Sequence, residues 1–489
     1  MAQTQALNEG PSNSGWRSGR KIGRVRGVLL REERNHHDYI PKEVSIGPYH
    51  HGNPELGFAE SIKSSALEVV LDVAGQKDIC LQVIKKEITE IRNCYEEGST
   101  DRYDDDELAR MMLLDASFIM VHMVAMAGPC FKLDNGEYLT PWPEFVNLII
   151  NLLSPLSMSI ALRDMCLVEN QIPFWIVRHL LSTYAPGNEQ KLLDRYLTVF
   201  LFGKFYSAKR TPPADEYGEA LHLLEHFYRA LAVDYHEPKE TYSSHVNCCF
   251  SVKERTNADL ESGECHQGVS RSLSCLKKFR AGVRKCRPFK KAKGDLTISG
   301  HSFRSLTELK AKGIHLKPSL TQSLCDVRFK SNFMYAELQL PTLSMRLDTK
   351  TLFLNIICYE LDPQNITLMY IPTSSFGVMT SYINLMKSLI VKPEDVKELR
   401  EKKILLGLQG SDEEIIKMYQ DLNTHEADNP AIYEDVKDGI QEHCNSKAKT
   451  WMTELIHTYI RSPWALITLL ATTCLLVLTI LQTVYTMKF

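Results

Sequence analysis

The chain has 489 residues, 44% of them hydrophobic and 24% charged, enough for one large module or two or three ordinary domains and too apolar for a disordered protein. A formal net charge of −3 excludes a global attraction to nucleic acid, so any basic site has to be local. The 13 cysteines are odd in number and scattered; with no CxxC pair and no signal-like apolar run in residues 1–35, they read as reduced thiols of a cytosol-facing protein.

Residues 1–35 form a polar arm, basic through Arg17, Arg20, Lys21, Arg24 and Arg26, and are expected to be disordered. The stretch 39–52, YIPKEVSIGPYHHG, follows with its Gly-Pro pair and adjacent histidines. Helical spacing of apolar residues runs over 61–92, and the acidic DRYDDDE then leads into a buried helix with carboxylates at its N-terminus. Further helices are predicted over about 143–153, 173–183 and 216–232, completing an N-terminal lobe over 36–239. Residues 240–298 are rich in Ser, Cys, Lys and Arg and read as a linker. A C-terminal lobe, 299–445, begins with a capping box at Ser305 and Glu308 and a helix stop at Gly313. Residues 326–341 alternate like a two-stranded hairpin turning near Ser331 and Asn332, and Asp348 is placed to cap the next helix. Three more helices follow, the last with a capping box at Ser411 and Glu414.

Residues 446–463 read as a juxtamembrane helix, and 464–487 as a transmembrane one, bounded by Trp464 and Met487. Its 24 residues carry no charge, and Gln482 is the one strongly polar side chain. Arg461, Lys447 and Lys449 favour the cytosol for the preceding chain, and insertion as a tail anchor is expected. The fold class is therefore mainly α: a large helical module with a small β-hairpin element and one C-terminal transmembrane helix.

Several groups of residues carry possible chemistry. His50 and His51, with His36 and His37, supply enough imidazoles for zinc, but adjacent side chains in an extended stretch diverge, and Gly and Pro on both sides favour a turn. HLLEH, with His222, Glu225 and His226, has the spacing of one class of zinc peptidases; equally, its histidines flank the apolar stripe Leu221, Leu224, Phe227 and Leu231. Glu169, Asn170 and Gln171 precede Pro173, which can open a helix that the polar trio would cap. Asp115 and His122, seven apart on a buried helix, are material for acid–base catalysis or for a structural network. Lys277, Lys278, Arg280, Arg284, Lys285, Arg287, Lys290, Lys291 and Lys293 form a run without an anion, read as a solvated linker or, functionally, a contact to anionic lipid. Asn365 heads the sequon Asn-Ile-Thr, relevant on a lumenal side. No nucleophile motif or glycine-rich phosphate loop is present, so no cofactor is expected, and the partners are a membrane and another protein.

YIPKEVSIGPYHHG with Glu60 and Lys63, then LLDASFIM, VENQIPF, TELKAKGI, FLNIICYE, SYINLMKSLI, EDVKELREKKI, GSDEE and the closing Pro-Trp and apolar segment resemble, in order, the plant family labelled domain of unknown function 247. The shared signature includes Pro48, Tyr49, His50, His51, Gly52, Glu169, Asn170, Gln171 and Pro173; Val168, Lys403 and Ser462 depart from the usual pattern. The resemblance implies a mostly helical body with a C-terminal membrane helix and no established catalysis. Some members are tied to pollen self-incompatibility, which implies recognition or signalling; the alternative is a membrane-tethered zinc hydrolase using HLLEH.

Overall fold

A computed structural model describes residues 20–71, 76–127, 154–202, 220–232, 305–319, 323–332, 335–346, 348–365, 376–407, 410–429, 431–446 and 463–488. They belong to one compact unit, Met1–Tyr235 with His301–Phe489; the second unit, His236–Gly300, lies outside the described residues. So do the predicted helix over 143–153, the basic run over 277–293 and most of the juxtamembrane segment.

The helical periodicity over 61–92 resolves into α1 (Gly57–Leu71), α2 (Gln76–Lys86) and α3 (Ile88–Asn93). The acidic stretch opens α4 (Asp105–Ala127), where Asp104 accepts from the Glu107 N–H at 2.7 Å and Glu107 from the Asp104 N–H at 3.1 Å. This reciprocal pairing satisfies two of the donors that a helix start leaves open. Apolar on all sides, α4 is the central helix, packed against α1, α2, α6 (Phe174–Tyr184) and α7 (Glu189–Phe202). Between α4 and α6 lies α5 (Pro155–Asp164); α8 (Leu223–Ala232) and α9 (Leu306–Ala311) follow α7.

One three-stranded sheet comes next. Its central strand β3 (Ala336–Leu340) pairs antiparallel with β2 (Arg328–Ser331), the expected hairpin, in the register Ser331 to Ala336. It also pairs parallel with β1 (Ile314–Pro318), which the sequence reading missed because that partner lies beyond the reach of a turn signal. Short strands β4 (Leu343–Ser344) and β5 (Leu405–Leu406) form a second, parallel pair.

The C-terminal helices are α10 (Thr349–Glu360), α11 (Val378–Leu389), α12 (Pro393–Glu401), α13 (Asp412–Asp421) and α14 (Glu434–Asn445). Asp348 stands at the start of α10 but does not cap it: its carboxylate pairs with Arg346 at 3.1 Å, and the Arg346 N–H donates to Thr349 Oγ1 at 2.7 Å. The box at Ser411 and Glu414 forms in both directions, at 3.2 and 2.9 Å. Ser411→Ala is expected to speed amide exchange in the first turn of α13 about fivefold, the effect of losing about 1 kcal/mol of cap; mass-resolved exchange of the full chain measures it, and unchanged rates would remove the cap's role.

Among the described residues two helices are long and apolar enough to span a bilayer, and their surroundings separate them. In α4, 83% of the most apolar window is buried; in α15 (Pro463–Lys488) the window Leu470–Met487 is 0% buried. α4 is a core helix and α15 is a candidate membrane anchor.

The basic arm is not disordered from residue 20 on. Ile22 donates to the Cys94 carbonyl at 2.6 Å, Arg20 pairs with Glu225, and Arg24 lies 4.7 Å above the Tyr49 ring. Further along, Asn35 donates to the Asp421 carbonyl at 3.1 Å, Thr351 to Asp38 at 2.6 Å and Asn355 to the Asp38 carbonyl at 2.9 Å, a separation of 317 residues. Among the described residues a single apolar core extends from Ile22 to Ile440.

Candidate functional site

The signature segment 39–52 crosses the interior without strand partners, so its buried N–H groups need acceptors from side chains. Asp164, at the end of α5, accepts from Lys42, Glu43 and Val44 at 2.9, 2.7 and 3.1 Å. Burial pushes its carboxyl up against those three N–H groups, which favour the charge. Asn170 accepts from Ile46 at 2.6 Å and donates to the Val44 and Asp164 carbonyls, both at 3.0 Å. Asp115 on α4 accepts from Gly47 at 2.7 Å and meets the Lys63 ammonium at 2.7 Å. Lys63, fully buried on α1, also reaches Glu60 and the Ser45 carbonyl, both at 2.6 Å. Burial opposes its charge, but Asp115 and Glu60 outweigh that and hold the ammonium above its ordinary value.

Glu169, Asn170 and Gln171 therefore do not cap α6, which starts behind Pro173 without a side-chain cap bond. Glu169 accepts from the Val25 N–H at 2.7 Å, while Gln171 donates to the Met165 and Leu167 carbonyls and accepts from the Leu224 N–H at 3.2 Å. The trio ties the arm, α5 and α8 together.

The histidine pairs do not converge. His50 Nε2 lies 3.4 Å from Glu169, whereas His51 packs edge-on against Tyr103 with centroids 5.7 Å apart. The turn itself is held by Arg102, which donates to the Pro48 and His51 carbonyls at 2.6 and 3.2 Å, and by the Tyr49 hydroxyl on the Ile22 carbonyl at 2.7 Å. Gly47 and Gly52, at φ +76° and +82°, supply its left-handed corners. His36 bonds to the Leu30 carbonyl at 3.1 Å, and Arg163 donates to the carbonyls of His37 and Ile40. Among the described residues no three His, Cys, Asp or Glu side chains come together as a metal-holding group.

HLLEH is a helix start rather than a ligand set, which corrects the zinc reading. His222 precedes α8, and its Nδ1 accepts from the Glu225 N–H at 3.1 Å while Glu225 accepts from the Leu221 N–H at 2.7 Å. A histidine thus serves as the N-cap, while Glu225 reaches the N–H of the residue before it. The other Glu225 oxygen meets Arg229 at 2.6 Å and Arg20. Burial alone would raise this carboxyl, but Arg229, Arg20 and His222 hold it at about 2, too acidic for a base near neutrality. His226 stacks on Phe174, centroids 4.9 Å apart, and burial drives both histidines to about 4.

Asp115 and His122 likewise have separate partners. His122 sits between Tyr196 at 3.3 Å and the Met158 carbonyl at 3.1 Å and is lowered by burial to about 4, so it forms no acid–base pair with Asp115. Sequence reasoning passed over Asp164, Asn355 and Glu360. Asn355 accepts from the Val168 N–H at 3.0 Å; Glu360, pushed up to about 7 by burial, accepts from the Met379 and Thr380 N–H groups that open α11 at 3.0 and 2.9 Å. The available signal was an Asn and a Glu within the otherwise apolar FLNIICYE.

Chemically, this cradle fixes backbone: its carboxylates and amides are engaged by N–H and C=O groups of the arm and of the helix ends. Comparison with known proteins finds relatives over most of the chain. A UPF0481 protein of Arabidopsis thaliana is 26% identical over 461 residues, covering 91% of this chain and 82% of its own length. A second UPF0481 protein of that plant is 22% identical over 492 residues, covering 91% and 86%. No solved structure matches the chain. The DUF247 family model, described as a plant protein of unknown function, matches residues 22–478, which takes in the arm, the cradle and most of α15, and the chain belongs to that family.

Proposed function

We propose that the chain is a membrane-anchored recognition module, a helical body tethered by α15 that engages a protein partner in signalling rather than performing chemistry. The observation that carries this reading is the exposed apolar surface of α15: Leu470, Leu475, Leu478, Leu481 and Val484 are all more than half exposed. A bilayer covers such a surface on every side of the helix at once. The engagement of Glu169, Asn170 and Gln171 with the chain's own backbone supports a scaffold role for the shared motifs. Arg461, Lys447 and Lys449 favour a cytosolic body, where the cations of 277–293 would meet anionic lipid. The buried Asn365 fits the same side, since its amide donates to the Tyr359 carbonyl at 3.0 Å and is not presented for glycosylation.

The test is a biotin ligase fused to the N-terminus of the full chain, compared with the same ligase on α15 alone. In microsomes the fusion should resist alkaline carbonate, be digested by added protease and carry no glycan. In cells it should label a specific set of proteins that the α15 control does not. Release by carbonate would overturn the anchor, protection from protease the cytosolic placement, and identical labelling the recognition role.

A further inference from the structure

We infer that α15 pairs in the membrane with α15 of a second copy of this chain, through a seam centred on Gln482. This inference rests on the membrane reading above. Thr468, Thr472, Leu475, Thr479, Gln482 and Thr486 recur at alternating steps of four and three residues, the 3.5-residue repeat that keeps one line of side chains facing a partner helix. Five of these six positions are polar, whereas half of the residues flanking them are Leu or Ile, with Thr473 and Thr483 the threonines off the seam. A helix meant only to contact lipid has no use for such a line, because polar side chains in transmembrane helices face other helices.

The seam's polar groups differ in what they still need. Thr472, Thr479 and Thr486 donate to the carbonyls one turn back, Thr468, Leu475 and Gln482, at 2.7, 2.7 and 2.6 Å. Those hydroxyl protons are satisfied within the helix. The Gln482 amide makes no hydrogen bond among the described residues, and it lies about 9 Å inside Lys488 along the axis, within the hydrocarbon. Water is absent there, so both its donor and its acceptor need a partner from another helix.

The self-complementarity of the amide and the geometry of insertion select a second copy. Two copies inserted in the same orientation run parallel, and in a parallel in-register pair each seam position faces its own counterpart. Gln482 then meets Gln482 of the other copy, one amide donating where the other accepts, at matching depth. Threonine is small enough at the remaining seam positions to let the two backbones approach.

The experiment is energy transfer between donor- and acceptor-labelled full-length chains in native membranes at matched density. The wild type should associate, and Gln482→Leu should weaken association roughly fivefold, the typical worth of an interhelical amide bond. Adding Leu475→Gln, one heptad back on the seam, should restore it; adding Val477→Gln, on the opposite face, should not. No transfer in a wild type that still resists carbonate overturns the pairing and leaves the anchor standing. Equal behaviour of the two rescue variants overturns the seam. Release of the wild type by carbonate overturns both readings together.

Discussion

Gly47→Ala is expected to destabilise the detergent-solubilised chain by about 4 kcal/mol, against about 1 kcal/mol for Gly52→Ala. Both glycines have left-handed φ values, +76° and +82°, so each alanine meets the same intrinsic penalty. The difference lies in the surroundings. A Cβ at Gly47 would stand 2.3 Å from the Gln171 carbonyl oxygen and 3.3 Å from the Tyr95 hydroxyl, whereas at Gly52 nothing lies within 4 Å. The backbone at Gly47 cannot withdraw without stretching its 2.7 Å bond to Asp115, and Gln171 is fixed by three bonds of its own side chain. Thermal or urea unfolding of the two variants side by side measures this. Equal losses would mean that only the dihedral matters and that the close approach of arm and cradle is not tight.

Acidification from pH 7 to 4 is expected to remove about 6 kcal/mol of stability through four buried groups. His122, His222 and His226 are depressed to about 4 by burial and return to ordinary values near 6.5 on unfolding. A depressed folded pKa gives stability that is present above the unfolded value and lost as pH falls through the folded one, about 3 kcal/mol for each histidine. Glu360 works in the opposite sense. Raised to about 7 by burial, it binds its proton more readily in the folded state and returns about 3 kcal/mol over the same interval. His226→Phe is the discriminating variant, because His226 Nε2 is buried without a hydrogen-bond partner and its ring already stacks on Phe174. It should lower the acid midpoint and reduce proton uptake on unfolding by close to one. An unchanged midpoint would mean that His226 is charged or open to water in the folded chain.

What the sequence made legible was local. α4 announced itself by its acidic start and unbroken apolar run, Ser305 and Ser411 by their spacing to Glu308 and Glu414, and α15 by length and lack of charge. Local spacing misled where the deciding fact was a boundary or a distant partner. HLLEH reads as two ligands on one helical face, but His222 stands just outside α8 and its ring closes the helix start. Glu169, Asn170 and Gln171 read as caps of the helix beside them, yet Asn170 bonds a residue 124 positions away and Glu169 one 144 positions away. Asp164 was invisible as a site because the three groups that its Oδ2 gathers from the signature segment are backbone N–H groups, which carry no side-chain signature. The parallel strand β1 was missed for the related reason that its pairing with β3 has no turn to announce it.

The bonds that Thr351 and Asn355 donate to Asp38 also set an order of events during synthesis. At about 5–20 residues per second, the ribosome needs about 15–60 s to travel the 317 residues between Asp38 and Asn355. For most of that interval the segment around Asp38 has left the ribosome and its α10 donors do not yet exist. The nascent chain therefore carries Asp38 without its native donors until α10 appears, and the body closes late, around a segment made near the beginning.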